Sequence, residues 1–230
     1  TRIAAVEGRN VPEWMADQFP PSQMTDGEVG CYASHMVAAR MIVDQKMGWA
    51  VILEDDAVLG PGFADVVKSA VAAARGFDVI HLTTKYKRAA LSVADLGGDF
   101  HLVRHSRLPT FSACYVMSAA GAKKWLAPQP RLAPNDMSFR YAWKHDFDFY
   151  GVFPAPASQR VGIASTLVHV ESGIDRRRWS DGTISELRGA IWRARRVGVI
   201  GSMRLALRNA KLRTLHRRSK KTDDTRFLVV

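Results

Sequence analysis

The chain has 230 residues, 47% of them hydrophobic and 24% charged, and its 33 Lys and Arg against 22 Asp and Glu give a formal net charge of +11. Such a composition belongs to a folded globular protein long enough to bury a sizeable core, and the basic balance favours anionic partners: nucleic acid, an anionic membrane surface or phosphorylated substrates. Two cysteines, Cys31 and Cys114, imply no disulfide framework and fit a reducing compartment, and no apolar run reaches the about 18 residues that span a bilayer.

Residues 1–23 are rich in turn formers, with Gly8, Asn10 and Pro12 followed by Pro20-Pro21-Ser22, and Arg2-Ile3-Ala4-Ala5-Val6 is predicted as a short strand. No signal peptide is recognisable in this opening, which starts at Thr1. Thr25-Asp26-Gly27-Glu28 has the T-x-x-E spacing of a capping box, in which hydroxyl and carboxylate satisfy free amides at a helix start. The helix is predicted over 28–47, with Val29, Ala33, Met36, Val43 and Met47 along one side and Gly48 ending it.

Ala50-Val51-Ile52-Leu53 then reads as a strand buried on both faces, the habit of parallel sheets covered by helices, and it ends abruptly in Glu54-Asp55-Asp56. Ligands of open α/β sheets collect at the carboxyl ends of such strands. Three adjacent acids repel one another and lose hydration there, and a divalent cation holding a phosphate would offset that cost. A wet strand-to-turn junction leading to Gly60-Pro61-Gly62 also accommodates acids without any ligand.

A second amphipathic helix is predicted over 63–75, with Phe63, Val66, Val67, Ala70, Val71 and Ala74 on one face and Gly76 as its stop, and a second strand over 78–83. The order helix, strand, helix, strand predicts α/β architecture with parallel neighbours. Residues 84–107 carry Lys85, Lys87, Arg88 and a turn at Gly97-Gly98, fitting a hairpin or a loop. A strand at 112–117 precedes a short helix at 119–126 capped by Ser118. Pro128, Pro130 and Pro134 stiffen the next linker, helical sequence resumes over 136–144, and 149–153 is predicted to be extended.

Composition breaks in the tail, where Asp181 and Glu186 are the sole acids between Arg176 and Lys221. Apolar residues keep helical spacing at Ile184, Leu187, Ile191 and Ala194, then at Ile200, Met203, Leu207 and Ala210, so one or two basic amphipathic helices broken near Gly198 or Gly201 are predicted. Their basic face suits either solvent, with the helix packed on the domain, or an anionic membrane, and Trp192 among arginines suits headgroup depth.

Taken together, Glu28-Val29-Gly30-Cys31-Tyr32-Ala33-Ser34-His35 and Leu53-Glu54-Asp55-Asp56 resemble the signature of glycosyltransferase family 25, an E-x-G-C-x-x-S-H helix leading into an L-E-D-D strand end. Weaker echoes are Arg2-Ile3-Ala4-Ala5-Val6-Glu7-Gly8-Arg9, like R-I-x-A-V-D-G-R, and Cys114-Tyr115-Val116-Met117-Ser118 with Gly121-Ala122, like Y-x-I-S-x-x-G-A. The family includes bacterial lipopolysaccharide galactosyl- and glucosyltransferases and animal collagen galactosyltransferases. Its members carry a strand and a helix ahead of the R-I-x-A-V-D-G-R segment, which this chain lacks. The resemblance covers 1–175 and implies there a GT-A-like, mostly parallel α/β sheet flanked by helices, while the basic helical tail over 176–230 is read from its own composition and periodicity.

The resemblance further implies inverting transfer of a hexose, galactose or glucose, from a UDP-sugar to a sugar hydroxyl; together with the basic tail it leads to the expectation of a lipid-linked oligosaccharide acceptor of lipopolysaccharide type, met in the cytoplasm at the inner-membrane face with the tail on anionic lipid. Such a reaction needs charge compensation on the departing diphosphate and a base for the acceptor hydroxyl. On this resemblance Asp56 is the expected ligand of Mn²⁺ or Mg²⁺, with His169 completing the metal site. Glu54 or Asp55 positions the sugar or ribose, Ser34 and His35 hold the acidic end by hydrogen bonds, Gln159 lies in the substrate site, and Asp136 is the expected base. Strand alternation points Glu54 and Asp56 alike. Cys31 and His35, one helical turn apart, also raise a Cys-His nucleophile, although such pairs more often meet across a fold. Nucleic-acid binding would use the charge, yet no zinc spacing, phosphate loop or reading motif accompanies it. A metal-dependent phosphoester hydrolase would need further His or Asp ligands at motif spacing.

Overall fold

The structure is a computed structural model that describes residues 1–22, 24–83, 88–160, 182–216 and 227–229. A short helix α1 (Glu13–Ala16) precedes the long helix α2 (Asp26–Asp44). Thr25 accepts from the Glu28 amide while the Glu28 carboxylate accepts from the Thr25 amide, so the capping box closes at the predicted place. The helix stops earlier than Gly48, where Gln45 caps it and Lys46 takes a positive φ of 54°.

Strands follow as β1 (Trp49–Leu53) and β2 (Ala57–Leu59), then helix α3 (Phe63–Ala73), β3 (Val79–His81), β4 (Ala90–Gly97), β5 (Phe100–His105) and β6 (Cys114–Ser118). Helix α4 (Ala119–Leu126) starts on the Ser118 hydroxyl, which accepts from the Gly121 amide. After it come α5 (Asn135–Arg140), a single 3-10 turn, β7 (Phe149–Phe153), β8 (Ala157–Gln159), α6 (Gly182–His216) and β9 (Leu228–Val229).

The main sheet has seven strands in the order β1-β6-β3-β7-β5-β4-β9, and β2 pairs with β8 in a separate two-stranded ribbon. Alternate residues of β6 serve opposite faces. Tyr115 and Met117 enter a cluster with Met36, Ile42, Trp125 and Phe139 under α2 and α4, while Cys114 and Val116 join Val66, Val67 and Ala70 of α3. Helices on both faces of a central sheet make this an α/β fold.

Three expectations change. The sheet is mixed rather than mostly parallel: β1–β6, β3–β6, β4–β5 and β5–β7 are antiparallel, and β3–β7 and β4–β9 are parallel. β1 and β3 do run in the same direction, but β6 lies between them, and an unbroken apolar run reports packing on two faces without reporting the neighbour's direction. β1 is also the rim strand, half-exposed, with Val51 toward the α3 cluster and Ala50 and Ile52 toward the α2 cluster. Finally, Arg2–Val6 is no strand. It runs along α2, where the Val6 amide donates to Ser34 Oγ at 2.9 Å, and the missing side chains of Gly8 and Gly30 allow the two backbones to touch.

The tail is woven into the domain. Trp192 is buried against Trp143, Arg196 reaches Asp146 and Asp148, and Leu205 and Leu212 pack with Ala89, Val103, Phe153 and Phe227 in a third core cluster. β9 then extends the sheet beside β4. The helix is broken at Gly198 (φ 75°, ψ 167°), one of the two predicted positions. Among the described residues no helix is long and apolar enough to cross a membrane.

Candidate active site

β1 delivers Glu54-Asp55-Asp56 onto a tight turn closed by the Ala57 amide donating to Glu54 O at 3.2 Å. The turn ends strand alternation at Leu53, so Glu54 and Asp56 do not behave as a pair and each has its own partners. Glu54 is held from two sides: Ser112 Oγ donates to its Oε1 at 2.6 Å, and His35 Nε2 lies 3.2 Å from the same oxygen. His35, in turn, places Nδ1 2.8 Å from the Tyr115 hydroxyl and stacks on that ring. Burial pushes the Glu54 carboxyl up, but the His35 and Ser112 contacts outweigh it and hold its pKa below the ordinary carboxylate value.

Asp56 Oδ2 accepts from Gln159 Nε2 at 2.7 Å, across the β2–β8 ribbon. Its Oδ1 is buried and has no hydrogen-bond partner among the described residues, a costly state for a carboxylate. Asp55, between them, is exposed.

Asp136 lies in the first turn of α5, half-buried. Its charge and that of Glu54 both reach the Cys31 thiol and, after burial itself, raise the thiol's pKa to about 12. A thiol held protonated at neutral pH is a poor nucleophile, which argues against the Cys-His reading. Ligand atoms of Cys31, His35 and Glu54 lie within 4.8 Å of one another, the one such group among the described residues, but the His35–Glu54 contact already satisfies two of the three. Asn135, beside Asp136, is 2% exposed, and neither end of its amide has a partner among the described residues.

The predicted residues are thus only partly assembled. Glu54, His35, Asp56 and Gln159 meet at the acidic turn, and Asp136 is within electrostatic reach of Cys31. Ser34 does not hold the acids: it accepts from Val6 N and donates to Gly30 O, one helical turn back, and so anchors the N-terminal segment. His169 lies outside the described residues. Ser112, Tyr115 and Asn135 were missed. Ser112 and Tyr115 reach the site because β6 pairs antiparallel with β1, opposing Leu53 with Cys114, a pairing with no local sequence signal. A groove lined by Ile3, Trp14, Val37 and Met41 shares no residue with this centre.

The architecture is a helix-flanked α/β sheet that presents an acidic turn at a strand end, braced by a helix histidine. The sequence matches the family described as "Glycosyltransferase family 25 (LPS biosynthesis protein)" over residues 5–129, more than half of the chain, and the chain belongs to that family. Among curated relatives it is similar to a "Glycosyltransferase 25 family member" of Anopheles gambiae, 33% identical over 129 residues, covering 53% of this chain and 21% of that protein. A protein of the same description from Drosophila melanogaster is 32% identical over 125 residues, covering 52% and 20% respectively. The "Inactive glycosyltransferase 25 family member 3" of Mus musculus is 27% identical over 161 residues, covering 62% of this chain and 27% of the mouse protein. The chain therefore spans roughly a quarter of the length of these relatives, and the family holds members described as inactive.

Proposed function

We propose that this chain transfers a hexose, galactose or glucose, from a UDP-sugar to a hydroxyl of a lipopolysaccharide-type, lipid-linked oligosaccharide, with inversion at the anomeric carbon. The observation that carries this reading is the division of labour on one turn: Glu54 is fixed by His35 and Ser112, while Asp56 keeps one buried oxygen without a partner among the described residues. Family membership supports the reaction class.

The residues present fit a hard divalent cation such as Mn²⁺ or Mg²⁺, because Asp56 Oδ1 is an oxygen donor that no described residue bonds. A cation bound there would supply charge compensation for the diphosphate. Gln159 fixes the other Asp56 oxygen and so sets the direction in which Oδ1 points. Glu54, held ionised, accepts hydroxyls of the donor's sugar or ribose. Asp136 takes the proton of the acceptor hydroxyl as its oxygen forms the new bond to the anomeric carbon, and the bond from that carbon to UDP breaks with its electron pair leaving on the diphosphate.

Thermal unfolding with UDP-galactose or UDP-glucose tests the proposal. In the presence of Mn²⁺, donor at a hundredfold its Kd is expected to stabilise the chain by about 2.7 kcal/mol, and Asp56→Asn is expected to abolish the metal-dependent part. No stabilisation by any UDP-sugar, together with salt-sensitive retention on DNA, would overturn it in favour of nucleic-acid binding.

A further inference from the structure

After the break at Gly198, α6 carries a row of large apolar side chains that none of the described residues covers. Val199, Ile200, Met203 and Leu207 are 75%, 70%, 60% and 70% exposed. Positions 200, 203 and 207 recur at helical spacing and so share one side, whereas Gly201, Leu205 and Leu212 face inward to Leu91 and the third core cluster. The helix is therefore apolar on two sides: one serves the core, and a second, roughly opposite, faces outward. Isolated exposed apolar residues are ordinary, but a continuous row of this size marks a contact surface.

Charge selects the contact. From Leu187 to Leu212 the helix has seven basic residues, Arg188, Arg193, Arg195, Arg196, Arg204, Arg208 and Lys211, and no acid. Arg204 and Lys211 are exposed at the edge of the row, and Arg188 and Arg195 are exposed before the break. An apolar row bordered by cations is the pattern of a helix lying in the headgroup region of an anionic bilayer, with its apolar side chains reaching the acyl boundary.

We propose that the 199–211 face of α6 inserts into anionic lipid, with Ile200, Met203 and Leu207 as the inserted side chains and Arg204 and Lys211 at the headgroups. The Gly198 break lets this half of the helix take its own direction relative to the half fixed by Trp192 and Arg196. The inference stands on α6 alone, so the donor experiment can fail without touching it.

Deleting the tail cannot test this, because Leu205, Leu212 and Phe227 belong to the core. Point variants at exposed positions can. The full 230-residue chain is floated with vesicles of phosphatidylcholine plus phosphatidylglycerol, and with phosphatidylcholine alone. Binding is expected on the anionic vesicles. The double variant Ile200→Glu, Leu207→Glu is expected to lose it by about tenfold or more with unchanged circular dichroism and Tm, since two inserted side chains become carboxylates. Arg204→Gln with Lys211→Gln is expected to weaken binding and flatten its salt dependence. Absence of binding by the parent chain, or equal binding by the double variant, overturns the proposal. So does self-association of the parent chain that the double variant abolishes, which would assign the row to a second copy.

Discussion

His35 Nε2 and Glu54 Oε1 stand 3.2 Å apart, joining a buried position of α2 to the acidic end of β1. With the Tyr115 hydroxyl on the far side of the ring and Ser112 on the near oxygen, the chain Tyr115–His35–Glu54–Ser112 fixes the carboxylate from three elements of the fold. Removing one link of such a network exposes the cost of burying the others.

His35→Ala is expected to destabilise the protein by about 1–3 kcal/mol, because Tyr115 and Glu54 each lose a partner in a largely buried site. Glu54 in the parent has a lowered pKa, so its contribution is present above the ordinary carboxylate value of 4.5 and is lost as pH falls through the lowered one. Without His35, burial dominates and acts in the opposite sense: the ionised carboxylate becomes a liability that protonation relieves. Urea unfolding of parent and variant should therefore show the deficit of His35→Ala narrowing as pH drops through the carboxylate range.

Cys31 and Cys114 should be almost inert in the native state. Burial raises both thiols to about 12, with Glu54, Asp136 and Glu28 adding to the effect at Cys31. Alkylation by iodoacetamide at neutral pH should run about a thousandfold more slowly in native than in urea-unfolded chain, following the thiolate fraction. Cys31→Ser should keep whatever transferase activity the parent has, which a nucleophilic cysteine would not permit.

Acid should unfold the protein through its buried imidazoles. Burial lowers His81 to about 4, and lowers His105 and His145 to about 3, with His81 and Arg104 adding at His105 and Arg131 and Lys144 adding at His145. The unfolded chain binds these protons first. Stability is therefore complete above the ordinary value of 6.5 and is lost as pH falls from there through the folded values, at up to about 1.4 kcal/mol per pH unit for each histidine. Denaturation midpoints between neutral pH and pH 5 should show this slope, and His145→Gln should reduce it.

Arg131 is 2% exposed, and its guanidinium donates to Gln18 Oε1, the Tyr32 hydroxyl and the carbonyls of Trp125 and Ala127. It ties the N-terminal segment, α2 and the end of α4 together. Lysine cannot reproduce the planar fork, so Arg131→Lys is expected to cost about 2–4 kcal/mol, read as a lower urea midpoint with an unchanged slope.

Local chemistry was legible in the sequence and long-range pairing was not. The Thr25–Glu28 box, the Ser118 cap and the Gly97-Gly98 turn announce themselves because each bond or φ is set within a few residues; both glycines take the positive φ that closes the β4–β5 hairpin. The acidic turn and its His35 brace were read from two neighbouring motifs. β2, β8 and β9, each of two or three residues, have no pattern long enough to register, and β6 slips between β1 and β3 without any local sign. The contacts of Ser112 and Tyr115 could not be read for the same reason, although Tyr115 belongs to a quoted family echo: the two become neighbours of Glu54 and His35 only once that strand is in place.

β1 has a single strand neighbour among the described residues, and none of those residues pairs with its outer backbone edge, the kind of edge on which another chain can add a strand. The acids bear on what can settle there. Parallel, in-register stacking of copies would set the Glu54-Asp55-Asp56 turns side by side and drive the stack apart, whereas antiparallel pairing leaves them at opposite corners. The same carboxylates proposed to serve the sugar donor thus also discourage fibril growth along this rim, and neutralising them all in one variant should be expected to cost solubility as well as catalysis.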